Sequence, residues 1–221
     1  MNIIYLLFHG LSPYSGISKK ILYQVKGFET CGHRVSLCTY SIADNGHRVR
    51  MINNEIIEDY GTGKPAAAKR RVSYQCIYRY AVTHQVELIY VRSFHNANPF
   101  TIRLFSKLRK AGIKIAMEIP TYPYDSEYAG FPLVTRLGIQ VDKVFRKTLA
   151  KHVNAIVTFS DYHCIFGQRT IQISNGVDFD SIPLKKTVAK NTSVIHLLGV
   201  AEVHYWHGYD RLIEGLGKYY Q

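Results

Sequence analysis

Short apolar runs rich in β-branched and aromatic residues recur along the chain, and longer amphipathic stretches separate them. Apolar runs of this length are typical of buried strands, and their alternation with helical stretches is typical of βαβ units. The pattern predicts six strands, at residues 3–8, 34–39, 87–91, 114–118, 155–159 and 170–173. We therefore expect an α/β protein with a Rossmann-like, doubly wound, mostly parallel sheet and helices on both faces.

Helical periodicity predicts helices at residues 18–31, 66–84, 99–111 and 133–152. Gly32 and Gly112 come just after two of these stretches, where glycine commonly ends a helix. Residues 47–61 have the pattern of an extended pair, and we expect it to turn at Asn53 and Asn54 because asparagine tolerates turn geometry.

The pattern changes near the end of the chain. Residues 1–182 form the predicted first domain, and residues 183–193 are polar and aperiodic, which indicates a linker. A strand at 194–198 and a helix at 208–219 are predicted after it, within a final stretch of 194–221. A single βα unit cannot cover its own apolar faces, so we expect this stretch to be the first part of a truncated second domain.

The composition is that of an ordered globular protein, with 47% hydrophobic and 20% charged residues. The four cysteines contain no C-x-x-C pair, so we expect neither a zinc site nor a disulfide framework, and a reducing cytoplasm is the simplest location. The N-terminus lacks the features of a secretion signal. No apolar run approaches the ~20 residues of a membrane-spanning helix, so any expected membrane contact is peripheral.

A formal net charge of +12 favours anionic partners, such as nucleic acid, acidic lipid or phosphorylated small molecules. Two basic sets stand out and are either contact surfaces for such anions or ordinary solvated faces: Lys64, Lys69, Arg70 and Arg71, and then Lys143, Arg146, Lys147 and Lys151. No nucleic-acid recognition motif is present, so we do not expect nucleic acid as a partner.

Ligands of open parallel sheets bind at the carboxyl ends of the strands, which directs attention to the loops that follow them. Gly16 lies after the first strand and before a helix, where the backbone can approach an oxygen-rich or anionic ligand. In the alternative interpretation, Ser15 or Ser18 simply caps that helix.

Glu118 ends an apolar strand and is followed by a Pro- and Tyr-rich loop that contains Tyr122 and Asp125. Tyrosine rings stack on sugars and carboxylates accept hydrogen bonds from sugar hydroxyls, so the segment is either a sugar-binding surface or a structural loop. In the loop after the preceding strand, Arg92 either holds a phosphate or pairs with Glu118. His95 is either a base or an incidental loop histidine.

Two common phosphate-binding motifs are absent. The GTGKP segment at residues 61–65 lacks the upstream glycine and the Ser/Thr of a P-loop. No G-x-G-x-x-G sequence follows the first strand, which argues against a dinucleotide-dependent oxidoreductase.

Four segments together resemble family 4 glycosyltransferases of the GT-B type, and the resemblance extends over essentially the whole chain. They are PYSGISKK at residues 13–20, EIPTYPYD at 118–125, IQISNGVD at 171–178 and WHGYDRLIEGL at 206–216. The Asn-Gly-Val-Asp that closes the last strand of the first domain is the most specific of these. The last segment resembles the one that begins the donor-binding domain in that family.

The resemblance implies that a sugar is transferred from a nucleotide-diphosphate sugar to a hydroxyl acceptor, with retention at the anomeric carbon and with no cofactor besides the donor. It implies that residues 1–182 bind the acceptor and that 194–221 begin the donor-binding domain. Gly16 would line the reaction centre, Glu118 and Tyr122 the acceptor side, and Asn175 and Gly176 the hinge.

Residues 199–208, which correspond to the segment that binds the donor diphosphate in this family, depart from the family pattern. Glu202 and His207 stand near positions where the family usually has an arginine and a lysine, so His207 and Gly208 remain the donor-phosphate candidates. The carboxylate pair that holds the donor in this family lies beyond residue 221, and no catalytic residue is assigned. We therefore expect the chain alone not to turn over.

The resemblance further implies a role in bacterial-type surface polysaccharide or glycolipid synthesis. A lipid-linked acceptor would place the enzyme on the inner face of the membrane, bound peripherally to an anionic surface. The alternative is a non-catalytic module that binds an acceptor or an anionic ligand.

Overall fold

The computed structural model describes residues 1–93, 95–125, 132–182, 197–199 and 207–220. The chain divides into two compact units, Met1–Phe179 and Asp180–Gln221. The predicted linker at 183–193 and residues 194–196 of the predicted strand after it lie outside the described residues.

The first unit is built on one mixed sheet whose central strands are parallel. In the described residues the strand order is β4-β3-β2-β1-β5-β6-β7-β9-β8, and all neighbours from β2 to β9 are parallel. This confirms the predicted α/β fold with a mostly parallel sheet. The strands are β1 Asn2–Leu6, β2 Arg34–Ile42, β3 Arg48–Ile52, β4 Glu55–Asp59, β5 Leu88–Arg92, β6 Lys114–Ile119, β7 Ala155–Thr158, β8 Cys164–Ile165 and β9 Gln168–Gln172.

Helices cover both faces of the sheet, as predicted. The helices of the described residues are α1 Gly16–Thr30, α2 Gly63–Val72, α3 Gln75–Thr83, α4 Pro99–Lys110, α5 Leu133–Ala150 and α6 Tyr209–Tyr219. Successive side chains of a strand point to opposite faces. Ile3 and Tyr5 of β1 therefore pack with Ile21 of α1, whereas Ile4 and Leu6 join a larger core with residues of α3, α4 and α5. We call these the α1 face and the α4 face.

The winding of the sheet reverses at β1. Strands β2 and β5 lie on opposite sides of β1, and the helices that follow β1 and β5 pack on opposite faces. In open α/β sheets such a reversal opens a crevice at the carboxyl ends of the strands, and ligands bind there. We therefore expect a ligand site at the carboxyl ends of β1 and β5.

Local signals in the sequence account for several element ends. Asn98 caps α4 by accepting hydrogen bonds from the backbone of Phe100 and Thr101, and Pro99 occupies the first turn. Asn53 and Asn54 form the predicted turn between β3 and β4, with φ of 48° and 70°. The predicted turn is confirmed.

The single helix predicted at residues 66–84 is wrong, because the chain breaks at Ser73 into α2 and α3. Ser73 is extended, and its carbonyl accepts a hydrogen bond from Tyr60 Oη at 3.3 Å. The next residue, Tyr74, turns into the core, where its ring meets Phe8 edge-on at 5.7 Å. Burial of this aromatic ring outweighs the continuous helical pattern.

A short hairpin of β8 and β9 was not predicted. Phe166 and Gly167 form its turn with φ of 53° and 80°. A phenylalanine is unusual in that conformation, so the sequence carries only a weak signal for the turn. In the described ranges, no helix combines the length and apolar character that crossing a bilayer requires.

Candidate functional site

Arg92 and Glu118 form a buried ion pair at the carboxyl ends of β5 and β6. The two residues are opposite each other in the parallel register, and both lie on the α1 face. Glu118 is fully buried and Arg92 is 6% exposed, and Arg92 Nη1 donates to Glu118 Oε1. The interpretation in which Arg92 pairs with Glu118 is therefore confirmed.

The second oxygen of this carboxylate is also held. Glu118 Oε2 accepts hydrogen bonds from Tyr90 Oη at 2.7 Å and from Gln24 Nε2 at 2.9 Å. Gln24 Oε1 in turn accepts from Tyr5 Oη at 2.5 Å. Burial, and then the charge of Glu118, raise the pKa of both tyrosines, which keeps their hydroxyls protonated as donors. The network fixes the carboxylate in one orientation.

A lysine lies beside this network. Lys20 in the second turn of α1 places Nζ 3.4 Å from the centroid of the Phe159 ring, just after β7. Burial lowers the pKa of the Lys20 ammonium, Glu118 opposes this shift and Arg92 adds to it. The site therefore holds a second cation, Lys20, next to the Arg92–Glu118 pair, whose own charges cancel.

His9 follows β1 and completes the crevice. Burial lowers the pKa of His9, the hydrogen bond with Gly10 opposes this shift and Arg92 adds to it. Nδ1 lies 2.7 Å from Gly10 O, so the neutral ring carries its proton on Nδ1. The crevice thus contains Lys20 and His9 in addition to the buried pair.

Two glycines border the crevice in different ways. Gly16 is exposed at the start of α1, and a Cβ there would have no atom within 4 Å, so packing does not require glycine. Ser15 accepts a hydrogen bond from Ser18 N at 3.4 Å, which is the capping contact considered for this loop. At Gly10, which was not singled out, a Cβ would lie 2.9 Å from Tyr40 O, so this loop needs glycine to pass close to β2.

Asp125 contacts α5 and not the buried pair. Its two oxygens accept from Arg146 at 2.7 and 3.1 Å, and Lys143 Nζ lies at 3.5 Å. The hydrogen bonds from Arg146 lower the pKa of Asp125, and they raise the pKa of Arg146 in return. Asp125 therefore ties its loop to α5, and its proposed contact with a sugar remains a prediction.

The aromatic residues of the same loop form a cluster with those of the β8 region. The half-buried Tyr122 meets Tyr162 edge-on at 4.9 Å and Phe166 at 5.5 Å. Tyr162 is 48% exposed. The cluster therefore offers a partly open aromatic surface of the kind that stacks on a sugar ring.

His95 belongs to this aromatic group rather than to the network around Glu118. Its ring lies 4.4 Å from that of Tyr124, which is buried and donates to Asp142 Oδ2 at 2.9 Å. Burial lowers the pKa of His95, and Asp142 opposes that shift. The structure thus separates the predicted site residues into two groups, one around Glu118 and one around Tyr122.

The remaining predicted residues lie after β9 in the first unit and before α6 in the second. Asn175 and Gly176 are exposed after β9 in the first unit. In the second unit, Gly208 precedes α6 with φ of 67°, and the His207 ring lies 6.1 Å from that of Tyr209. Their roles as hinge and as donor-phosphate groups remain predictions.

Five residues of the crevice were missed from the sequence: Tyr5, His9, Lys20, Gln24 and Tyr90. The two-residue period of a strand places Tyr90 on the same face as Arg92, so this one could have been found. The three residues of the β1 loop and α1 carry no comparable signal, because the helical phase alone does not say which strand a side chain reaches.

A cavity of about 340 Å³ lies on the α4 face, between α3 and α4. Its lining includes Tyr74, Tyr78, Phe100, Arg103 and Lys107. It is on the opposite face from Glu118 and contains none of the predicted site residues. Within the part of the chain that the structure describes, no three His, Cys, Asp or Glu side chains come together as metal ligands would.

Comparison with family models and with curated proteins does not identify a family for this chain. No family model matches the chain, and no curated protein matches it. The fold and the site define a Rossmann-like α/β protein with a polar crevice at the point where its winding reverses.

Proposed function

We propose that the Met1–Phe179 unit binds the hydroxyl-bearing acceptor of a retaining, nucleotide-sugar-dependent glycosyltransferase, and that the crevice around Glu118 is the acceptor site. The observation that carries the proposal is the convergence of Arg92, Glu118 and Lys20 at the carboxyl ends of the strands, where the winding of the sheet reverses. This is the position at which open α/β sheets bind ligands.

The groups of the crevice suit a sugar. A sugar hydroxyl can accept a hydrogen bond from the Lys20 ammonium, which lies beside the buried pair. A guanidinium has five N–H donors, so Arg92 keeps capacity beyond its bond to Glu118. Because Glu118 accepts from three donors on two elements, β5 and α1, the Arg92 guanidinium paired with it is oriented before a ligand arrives.

The chemistry of transfer requires stabilisation of the departing diphosphate. Lys20 and the N-terminus of α1 supply positive potential on the acceptor side. We assign His207 and Gly208 to the diphosphate of the donor, and Asn175 and Gly176 to the hinge, on the resemblance alone. A glycan or lipid-linked acceptor on an anionic membrane surface, in surface polysaccharide or glycolipid synthesis, fits the charge of +12.

A second candidate function is a non-catalytic module that binds an anionic ligand. It is favoured by arginines on the α4 face that have no carboxylate partner within the described residues. The two functions differ in what the chain binds: an acceptor domain binds a neutral glycoside, whereas the alternative module binds only an anionic compound.

Ligand-observed NMR on the full chain tests the acceptor site. A panel of simple glycosides and nucleotide sugars is titrated against the wild type, Lys20→Gln and the matched control Lys19→Gln, which changes an exposed neighbour on the same helix. We expect Lys20→Gln to weaken binding of an acceptor glycoside about tenfold, the value of one charge-assisted hydrogen bond, and Lys19→Gln to leave it unchanged.

Equal binding by both lysine variants would remove the crevice from consideration, and no binding of any glycoside would reject an acceptor domain. Binding of an anionic compound without glycoside binding would favour the non-catalytic module.

A further inference from the structure

A second buried arginine lies on the α4 face of the sheet. Arg50 on β3 is 1% exposed, and its Nη1 donates to the carbonyl of Leu7 at 2.7 Å. Its guanidinium carbon lies 5.8 Å from the centroid of the Phe8 ring. Arg50 Nε is buried without a hydrogen-bond partner, and Arg50 forms no ion pair with any carboxylate of the described residues.

The groups around Arg50 are neutral. Burial raises the pKa of the Cys38 thiol to about 12, and it also raises the pKa of Cys76 and of Tyr60, although Arg50 opposes each shift. All three therefore stay protonated at physiological pH and supply no negative charge. The part of the chain that the structure describes therefore supplies no counter-ion for Arg50.

Two further arginines approach Tyr40, which lies opposite Arg50 in the antiparallel register of β2 and β3. Arg48 Nη1 donates to Tyr40 Oη at 2.7 Å, and the guanidinium carbon of Arg70, from α2, lies 4.1 Å from the centroid of the Tyr40 ring. Arg70 Nε is also buried without a partner. We call Arg48, Arg50 and Arg70 the arginine cluster.

The acidic residues on neighbouring β4 are engaged elsewhere. Glu58, opposite Arg50 in the β3–β4 register, meets Lys69 Nζ at 3.8 Å, and Asp59 meets His47 Nδ1 at 2.7 Å. Burial lowers the pKa of Arg70, Tyr40 opposes this, and the nearby Arg71, Arg48 and Arg50 lower it further. Within the described residues, positive charges here repel one another and no carboxylate neutralises them.

We propose that the arginine cluster binds a phosphate group, carried by a phosphomonoester or a pyrophosphate. Arg48 and Arg70, which are half-buried, contact the ligand from the surface, and Arg50 attracts it from beneath. Guanidinium groups bind phosphate through paired, charge-assisted hydrogen bonds, and a buried cation gains most from such a partner because the surroundings screen it weakly. This site lies on the face opposite Glu118 and does not depend on the proposed transferase activity.

Thermal unfolding of the full chain in inorganic pyrophosphate tests the proposal, with sodium chloride at equal ionic strength as the reference. A tenfold excess of pyrophosphate over its dissociation constant should raise Tm by about 3–6 °C. The double variant Arg48→Gln/Arg70→Gln should lose this rise. The matched control Arg79→Gln removes an exposed arginine of α3 and should keep it.

Vesicles distinguish a lipid headgroup from a free phosphate compound. If the wild type binds phosphatidylcholine vesicles that contain phosphatidic acid, and pyrophosphate releases it, the ligand is a lipid phosphate. A pyrophosphate-dependent rise in Tm without vesicle binding assigns a free phosphate compound. The proposal fails if pyrophosphate stabilises the wild type no more than chloride does, or if the double variant keeps the full rise.

Discussion

Arg92 and Arg50 are both buried on the same sheet, yet among the described residues only Arg92 has a carboxylate counter-ion. Arg92 on the α1 face meets Glu118, which also accepts from Tyr90 and Gln24. Arg50 on the α4 face donates to one carbonyl and is surrounded by neutral groups and two more arginines. The first charge is neutralised when the protein folds, whereas the second remains available to an anion from outside.

This difference affects how each face responds to substitution. Removal of one partner from a buried pair leaves the other charge uncompensated in a poorly solvating interior, which is strongly destabilising. Removal of a buried charge that had no counter-ion relieves a desolvation cost while losing only its local contacts. The same substitution at the two arginines should therefore have unequal effects.

The largest effect is expected for Arg92→Met. The fully buried Glu118 would lose its counter-ion and keep Tyr90 and Gln24 as described donors, so the free energy of unfolding should fall by about 3–5 kcal/mol at pH 7. Urea unfolding followed by far-UV circular dichroism measures the loss. A change below about 1 kcal/mol would mean that the pair is not buried in solution.

The control for this prediction is the double variant Arg92→Met/Glu118→Gln. It removes the stranded charge and retains an amide oxygen that can accept from Tyr90 and Gln24. We expect it to recover at least half of the stability lost in Arg92→Met. A double variant as unstable as the single one would attribute the loss to the missing volume of the arginine rather than to charge.

A smaller effect is expected for the matched substitution Arg50→Met. It loses the hydrogen bond to Leu7 O but removes a buried charge without a carboxylate partner, so the change should lie between a gain of about 1 and a loss of about 1.5 kcal/mol. The same urea titration measures it. A loss as large as that of Arg92→Met would show that Arg50 is neutralised within the folded chain, and the contrast between the faces would disappear.

The same contrast shows what could be predicted from the sequence. The strands and their parallel arrangement follow from apolar runs separated by helical stretches, and two strand ends that neighbour each other bring Arg92 and Glu118 together. The pairing of these two residues was therefore within reach of sequence reasoning. It required only the strand ends and their order.

The arginine cluster was not within reach in the same way. In the strand RVRMI, the arginines alternate with apolar residues, and such a pattern normally indicates a solvated polar face. Arg50 is buried because α2 and α3, which break at Ser73, cover this part of the sheet, and that break has no Gly or Pro to signal it. Burial of a charged side chain depends on such tertiary packing, which periodicity does not report.

The smallest expected effect is on the pH dependence of stability, to which His9 contributes in the crevice and the arginine cluster does not. Burial lowers the pKa of His9 in the crevice, and Arg92 adds to that shift while the hydrogen bond with Gly10 opposes it. The unfolded state therefore binds more protons than the folded state below pH ~6.5, so His9 makes stability fall as the pH drops through that range. His95 and His152 contribute with the same sign.

We expect His9→Asn to reduce the slope of the free energy of unfolding against pH between 7 and 5, and Arg48→Gln/Arg70→Gln to retain the wild-type slope. Urea titrations across this range measure both, and an unchanged slope in His9→Asn would show that this ring titrates alike in the folded and unfolded chains.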